Sequence, residues 1–265
     1  MLLSPRLTPS LIGMGLLEAI PAAAVLAAAD PDDRNGDGIS GRANQVWDEV
    51  AGRAALGRFG WKANIPTLTQ QVAAAYHNDM GITSPRFPTE SVTGQSQVTG
   101  PVGPPEIDAD RLKATVHYLR TLAVPDRRAI ASGQIRRGAL LFNQANCVAC
   151  HMPTQRTGAF PDAPEVGRET IHPYTDLLLH DMGAGLADGR PDFLATGSEW
   201  RTAPLWGLGL RAAVQGQLSL LHDGRAHSVT EAILWHGGEA AAAKDTFRTM
   251  PRQDRSALAA FLNSL

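Results

Sequence analysis

Cysteine is scarce in this chain: there are only two, Cys147 and Cys150, in 265 residues. A structural zinc site would need a second ligand pair at metal spacing, and the sequence offers none. Lys and Arg form no run of useful length and the net charge is -2, which makes nucleic acid and anionic membranes poor partners. No stretch reaches the roughly 18 uncharged apolar residues of a membrane span. There is no Ser-His-Asp arrangement, no phosphate loop, no internal repeat and no persistent strand-like alternation. Aromatic residues make up only 6% of the chain, whereas Gly (26) and Pro (18) are plentiful, a composition that favours short helices joined by long loops. A hydrophobic fraction of 43% is enough for a buried core, and the length suits one large domain or two modest ones.

The N-terminal stretch MLLSPRLTPSLIGMGLLEAIPAAAVLAAAD has the early arginine and apolar centre of a secretory leader. Glu18 and Pro21 interrupt it, however, and LIGMGLLEAIP reads as a short amphipathic helix ended by proline, so residues 1–30 are expected to be helical structure. Further helices are expected over 67–80, over 108–124 with Leu112, Val116, Leu119 and Leu122 in one stripe, and from 132 into the cysteine motif. Others follow over 228–238, where Ser228 and Glu231 have capping-box spacing, and over 251–265. Residues 81–107 and 152–220 read mainly as loop. The expected architecture is mostly α: a cytochrome c-like helical domain with long loops at 125–265, preceded by a partial, loop-rich helical domain at 1–124.

The chemistry is concentrated in NQANCVACHM. A disulfide or dithiol would use C-x-x-C alone, whereas a c-type haem uses C-x-x-C-H, the pattern formed by Cys147, Cys150 and His151. Two intervening residues let both sulfurs reach the vinyl positions of one porphyrin edge, and the adjacent histidine then lies under the ring as an iron ligand. The expected cofactor is therefore covalent haem c. Such attachment takes place outside the bacterial cytoplasm, so the periplasm is the expected compartment. Candidates for the sixth ligand are His172, His180, Met182, His222, His227, His236 and Met250. His236 ends a short capped helix before Gly237 and Gly238, which would let a planar macrocycle approach the backbone. His222 stands beside Asp223, a partner able to fix its tautomer. Spacing alone leaves the choice between His222 and His236 open.

A second metal is suggested by DRNGDGISGRAN. Asp33, Asn35 and Asp37 alternate as in the front half of an EF-hand loop, but Asn44 stands where a bidentate glutamate belongs. Calcium is one reading of this turn, and a solvated glycine turn with Asx bonds is the other. His77 with Met80, and His180 with Met182, read as packing residues with a haem edge as the alternative.

The phrases GALLFNQANCVACH, EWRTAPLWGLG, LLHDGRAHSVTEAILWH and RSALAAFLNSL resemble the C-terminal domain of bacterial di-haem cytochrome c peroxidases. LIGMGLLEAIP, DGISGRANQVWD, GRFGWKA, NDMGITSP and YTDLLLHDMG are similar to the wider di-haem oxidoreductase family, which is peroxidase-type and also labelled thiol oxidoreductase-like. The resemblance covers nearly the whole chain. In the peroxidases the distal ligand lies fourteen residues after the HDG histidine; counted from His222, that position is His236. The resemblance therefore implies His236 as sixth ligand, with a lower potential than a methionine would give. It also implies His222 as a supporting residue and Arg201 near a haem propionate.

Such families carry two haems, whereas this chain has one C-x-x-C-H, so it is expected to be the C-terminal portion of a longer protein or a derivative that lost its first haem. Where the peroxidases have Thr-x-Pro before HDG, this chain has Gln217 and Ser219, which weakens the carry-over of their inter-domain calcium. The expected function is electron transfer within a di-haem, peroxidase-type oxidoreductase. Its expected partners are a redox donor such as a small cytochrome or cupredoxin and the second haem domain. The rivals are a stand-alone electron carrier and a dithiol oxidoreductase; haem attachment would consume both thiols and so excludes the last.

Overall fold

The computed structural model describes residues 3–92, 94–96 and 103–265. The expectation of a mostly α fold is corrected: only 36% of the chain is helical, and strand contributes 10%. Among the described residues there are nine α-helices. These are α1 (Met14–Glu18), α2 (Ala22–Ala27), α3 (Leu68–Met80), α4 (Ala109–Arg120), α5 (Gly133–Gln144), α6 (Arg211–Gln215), α7 (Val229–Trp235), α8 (Ala241–Thr249) and α9 (Arg252–Leu262). Six strands pair antiparallel as β1 (Gln45–Asp48) with β2 (Arg53–Leu56), β3 (Gln155–Arg156) with β4 (Thr170–Ile171), and β5 (Leu179–Asp181) with β6 (Glu199–Arg201). Each strand is two to four residues long. A period of two cannot declare itself over so few positions, which is why the strands left no legible pattern.

The longer helices form where their caps and stripes predict. Thr67 accepts from the Gln70 N–H at the start of α3, Asp108 from Arg111 at α4, and Ser228 from Glu231 at α7. The first thirty residues are less helical than expected. Among the described residues only α1 and α2 form there, and residues 3–11 run without regular structure.

Among the described residues, two large apolar cores hold the chain together, with two smaller clusters beside them. One draws on α5, α7, α8 and α9 through residues such as Phe142, Val229, Phe247 and Phe261. The other packs α1, α3 and α4 through Leu17, Leu68 and Val116, and also takes in Leu177, Leu178 and Trp206 from beyond the cysteine motif. Between α1 and α4, the buried Glu18 carboxylate accepts from Arg120 Nε at 2.7 Å and from the Leu68 N–H at 2.8 Å.

Helices α5 and α9 cross at Gly138. A Cβ there would lie 2.0 Å from the Ala257 carbonyl oxygen and 2.6 Å from the Phe261 Cβ. Neither obstacle is the loose end of a side chain, so the helices would have to separate. A Gly138→Val substitution is expected to destabilise the fold by about 3 kcal/mol or more through overpacking, seen as a lower denaturant midpoint in chemical unfolding.

Candidate haem-binding cleft

Helix α5 delivers the motif. Asn146, with φ 58°, turns the chain out of the helix, and Cys147–Ala149 forms a single 3-10 turn. The His151 N–H donates to the Cys147 carbonyl at 2.9 Å, which brings both cysteines and the histidine round to one cleft. The motif is held from the opposite side by the 174–176 segment, where the Thr175 and Asp176 N–H groups donate to the Met152 and Cys150 carbonyls at 3.1 Å.

Cys147, Cys150, His151, Arg201, His222 and His236 all line this cleft, whose remaining walls are largely apolar, with Phe142, Leu205, Leu258 and Leu262 among them. His151 Nδ1 donates to the Tyr174 carbonyl at 2.9 Å. His236 Nδ1 donates to the Ala232 carbonyl at 2.7 Å, closing the end of α7. In each ring the second nitrogen, Nε2, is left as the free base. A carbonyl that fixes the tautomer of one nitrogen while the other faces a metal is the usual support for a histidine ligand. Burial pushes His151 down to about 4 and His236 below the ordinary imidazole value, partly opposed by those backbone bonds. Burial thus disfavours the protonated form of both rings, and the unprotonated form is the one a ligand needs.

His222 is placed differently. Its ring stacks on Trp200, centroids 3.7 Å apart and planes 13° apart, and the Lys62 ammonium lies 4.0 Å from the same indole. Asp223 does not orient it as the sequence suggested. Its carboxylate is 3.9 Å from His222 Nε2, beyond hydrogen-bond reach, and instead accepts from Arg225 Nε at 2.6 Å.

The glycines after His236 serve a different purpose from the one expected. A Cβ on Gly238 would fall 2.1 Å from the Asp181 carbonyl, and one on Gly237 3.0 Å from that of Met182. They allow backbone to approach backbone and seat the His236 segment on β5.

Arg201 is buried. Its Nε donates to the Gly60 carbonyl at 2.9 Å and its NH1 to Thr202 at 3.1 Å, and among the described residues no carboxylate lies within ion-pair distance. Burial lowers it to about 10. Beside it, the Thr202 hydroxyl has no hydrogen-bond partner. A cation paired only with carbonyls, next to an orphan hydroxyl on the cleft wall, suits an anionic substituent such as a propionate. The set as a whole fits a covalently attached haem: two sulfurs and two imidazoles line one largely apolar cleft, with a buried guanidinium whose hydrogen bonds go to carbonyls on its wall.

Of the remaining sequence candidates, His180 and Met182 also reach the cleft wall, whereas the acidic turn and the His77 region lie apart from it. Asp33, Asn35 and Asp37 form an exposed turn whose oxygens accept from the Gly38, Asp37 and Ile39 N–H groups, and among the described residues no group of three or more His, Cys, Asp or Glu is gathered to hold a metal ion. His77 stacks on Phe87 and bonds the Thr89 carbonyl, and Met80 is exposed. His180, read from sequence as a packing residue, is instead the hub of a buried ionic cluster with Asp176 and Glu239. The only sequence hint was the four-residue spacing of Asp176 and His180.

The family model described as "Di-haem oxidoreductase, putative peroxidase" matches residues 1–265, and the chain belongs to that family. No curated relative matches it. Among solved structures it is similar to a Kuenenia stuttgartiensis hydrazine synthase chain pressurized with xenon, at 18% identity and a TM-score of 0.38. The likeness covers 61% of this chain and 57% of that one. No helix among the described residues is long and apolar enough to cross a membrane.

Proposed function

We propose that the chain is a c-type haem protein of the periplasm that passes electrons within a di-haem oxidoreductase. Cys147 and Cys150 would hold the porphyrin as thioethers, His151 and His236 would bind its iron, and Arg201 with Thr202 would receive a propionate. When bound, the haem supplies a one-electron iron couple whose potential depends on the axial ligands and their surroundings. The residues' part is to hold it: the carbonyls of Tyr174 and Ala232 fix both tautomers, and apolar walls exclude water from the iron. The observation that carries this reading is the pairing of two histidines in one cleft, each with Nδ1 committed to a carbonyl and Nε2 free.

The dithiol reading is disfavoured by the same burial that makes the cleft. Burial pushes Cys147 up to about 12 and raises Cys150 as well, although His180 opposes the latter. The thiolate is the form that exchanges disulfides, and it is scarce at such sites.

If His151 and His236 both ligate the iron, no position on it would be left for peroxide. The expected result is that the haem-loaded chain alone oxidises a reduced donor with hydrogen peroxide no faster than the uncatalysed mixture, while its reduced haem exchanges electrons with small redox proteins. Rapid peroxide turnover by the chain alone would contradict a closed, doubly ligated site.

A further inference from the structure

The cleft reading leaves one cluster unused. His180, on β5, is buried, and both its ring nitrogens meet carboxylates: Nε2 lies 2.8 Å from Asp176 Oδ2 and Nδ1 lies 2.7 Å from Glu239 Oε2. A neutral imidazole has a single N–H, so a ring that donates at both nitrogens is an imidazolium. One cation between two carboxylates leaves a net charge of -1 inside the protein. Nδ1 is also 3.5 Å from Cys150 Sγ, so this charge sits against the sulfur that would carry the porphyrin edge.

The cluster is also a mechanical link. On one side, the Asp176 N–H holds the Cys150 carbonyl, within the motif that bears His151. On the other, Glu239 follows His236 by three residues and belongs to the turn seated on Asp181–Gly183. The Glu239 carboxylate further accepts from the Asp181 N–H at 3.1 Å and from Ser40 through both N–H (3.0 Å) and Oγ (2.6 Å), which ties in the loop before β1. Each of these bonds of the carboxylate joins segments distant in sequence.

We infer that Asp176, His180 and Glu239 form a charged clasp that seats the distal histidine against the haem-attachment motif and holds the haem potential down. The inference rests on the reading of His151 and His236 as axial ligands. A net negative charge beside the porphyrin stabilises the oxidised, more positive iron state, and burial preserves the effect from screening. Arg201, which interacts with Asp176 through space, opposes part of this charge and remains in place in every variant below. The three residues act through the haem's surroundings and are positioning residues.

The test uses haem-loaded full chain. Glu239→Gln keeps the side-chain shape and removes one charge. Its expected result is an unchanged doubly ligated ferric spectrum with a midpoint potential above wild type, and Asp176→Asn should shift the same way. Glu239→Ala also removes the link, and is expected to let cyanide reach the ferric iron at least tenfold faster than in wild type, with Glu239→Gln restoring most of the protection. If Glu239→Ala fails to fold, Ser40→Ala, which removes a single bond to the carboxylate, is expected to speed cyanide binding more mildly. Wild-type potentials in both isosteric variants, or wild-type cyanide rates in the truncated ones, would overturn the clasp. Wild-type protein without attached haem would instead overturn the ligand reading on which it rests.

Discussion

A chain carrying Cys147→Ser and Cys150→Ser together is expected to retain no haem after denaturation, whereas wild type produced in a host able to mature c-type cytochromes keeps one. The expected effect is all or none, because a thioether survives unfolding and axial bonds do not. Each single variant should keep its porphyrin through the remaining sulfur and show a shifted haemochrome band from the unreacted vinyl group. The substitutions also empty the cleft. Its walls, among them Phe142, Leu205, Leu258 and Leu262, belong to or border the core built by α5, α7, α8 and α9. A protein that binds a group only in its folded state gains stability from it by mass action, so the double variant is expected to melt well below the wild-type holoprotein. In-gel haem staining and a thermal scan measure both effects.

The second large effect is expected at the distal position. His236→Met exchanges an imidazole for a thioether, and methionine ligation raises haem potentials. Axial ligands spread the potentials of haem proteins over about 0.8 V, so an increase on the order of 0.1 V or more is expected here, with a new sulfur-to-iron band near the red end of the ferric spectrum. The Ala232 carbonyl loses its donor in this variant, and the end of α7 should loosen slightly. His222→Met is the control. Its ring is committed to the Trp200 stack and its nearest carboxylate is paired with Arg225. The ferric spectrum of that variant is expected to remain that of a bis-histidine haem. If the two variants exchanged behaviours, His222 would be the ligand and His236 a packing residue.

The proposed haem-attachment motif was legible because it lies in ten consecutive residues. The spacing of Cys147, Cys150 and His151 is a local property, and the 3-10 turn after Asn146 realises it locally. Helices α3, α4, α5 and α9 were legible for a similar reason, since caps and stripes are short-range signals. The overall class was not. A loop-rich composition reads as helices with connectors, but several connectors here pair into strands too short to alternate, and their ladders depend on partners as far apart as Asp181 and Glu199. Helix α8 was missed because its inner face is built of alanines, a weak apolar signal, with Phe247 as its one large buried side chain.

The ionic clasp was hidden for the same reason. His180 and Glu239 are separated by 59 residues and Ser40 and Glu239 by 199, so no window of sequence contains the site. Gly237 and Gly238 were noticed but given the wrong neighbour: the constraint on them is the carbonyls of Asp181 and Met182. His222 and His236 were indistinguishable by spacing, and what separates them is what each ring touches. One is stacked on an indole; the other has Nδ1 tied to its own helix and Nε2 free.

The central claim is covalent, and intact-mass analysis of the mature protein under denaturing, reducing conditions tests it most directly. The expected spectrum shows the polypeptide plus one haem, with no thiol left to alkylate. A polypeptide mass without haem, taking up two alkyl groups at Cys147 and Cys150, would contradict it.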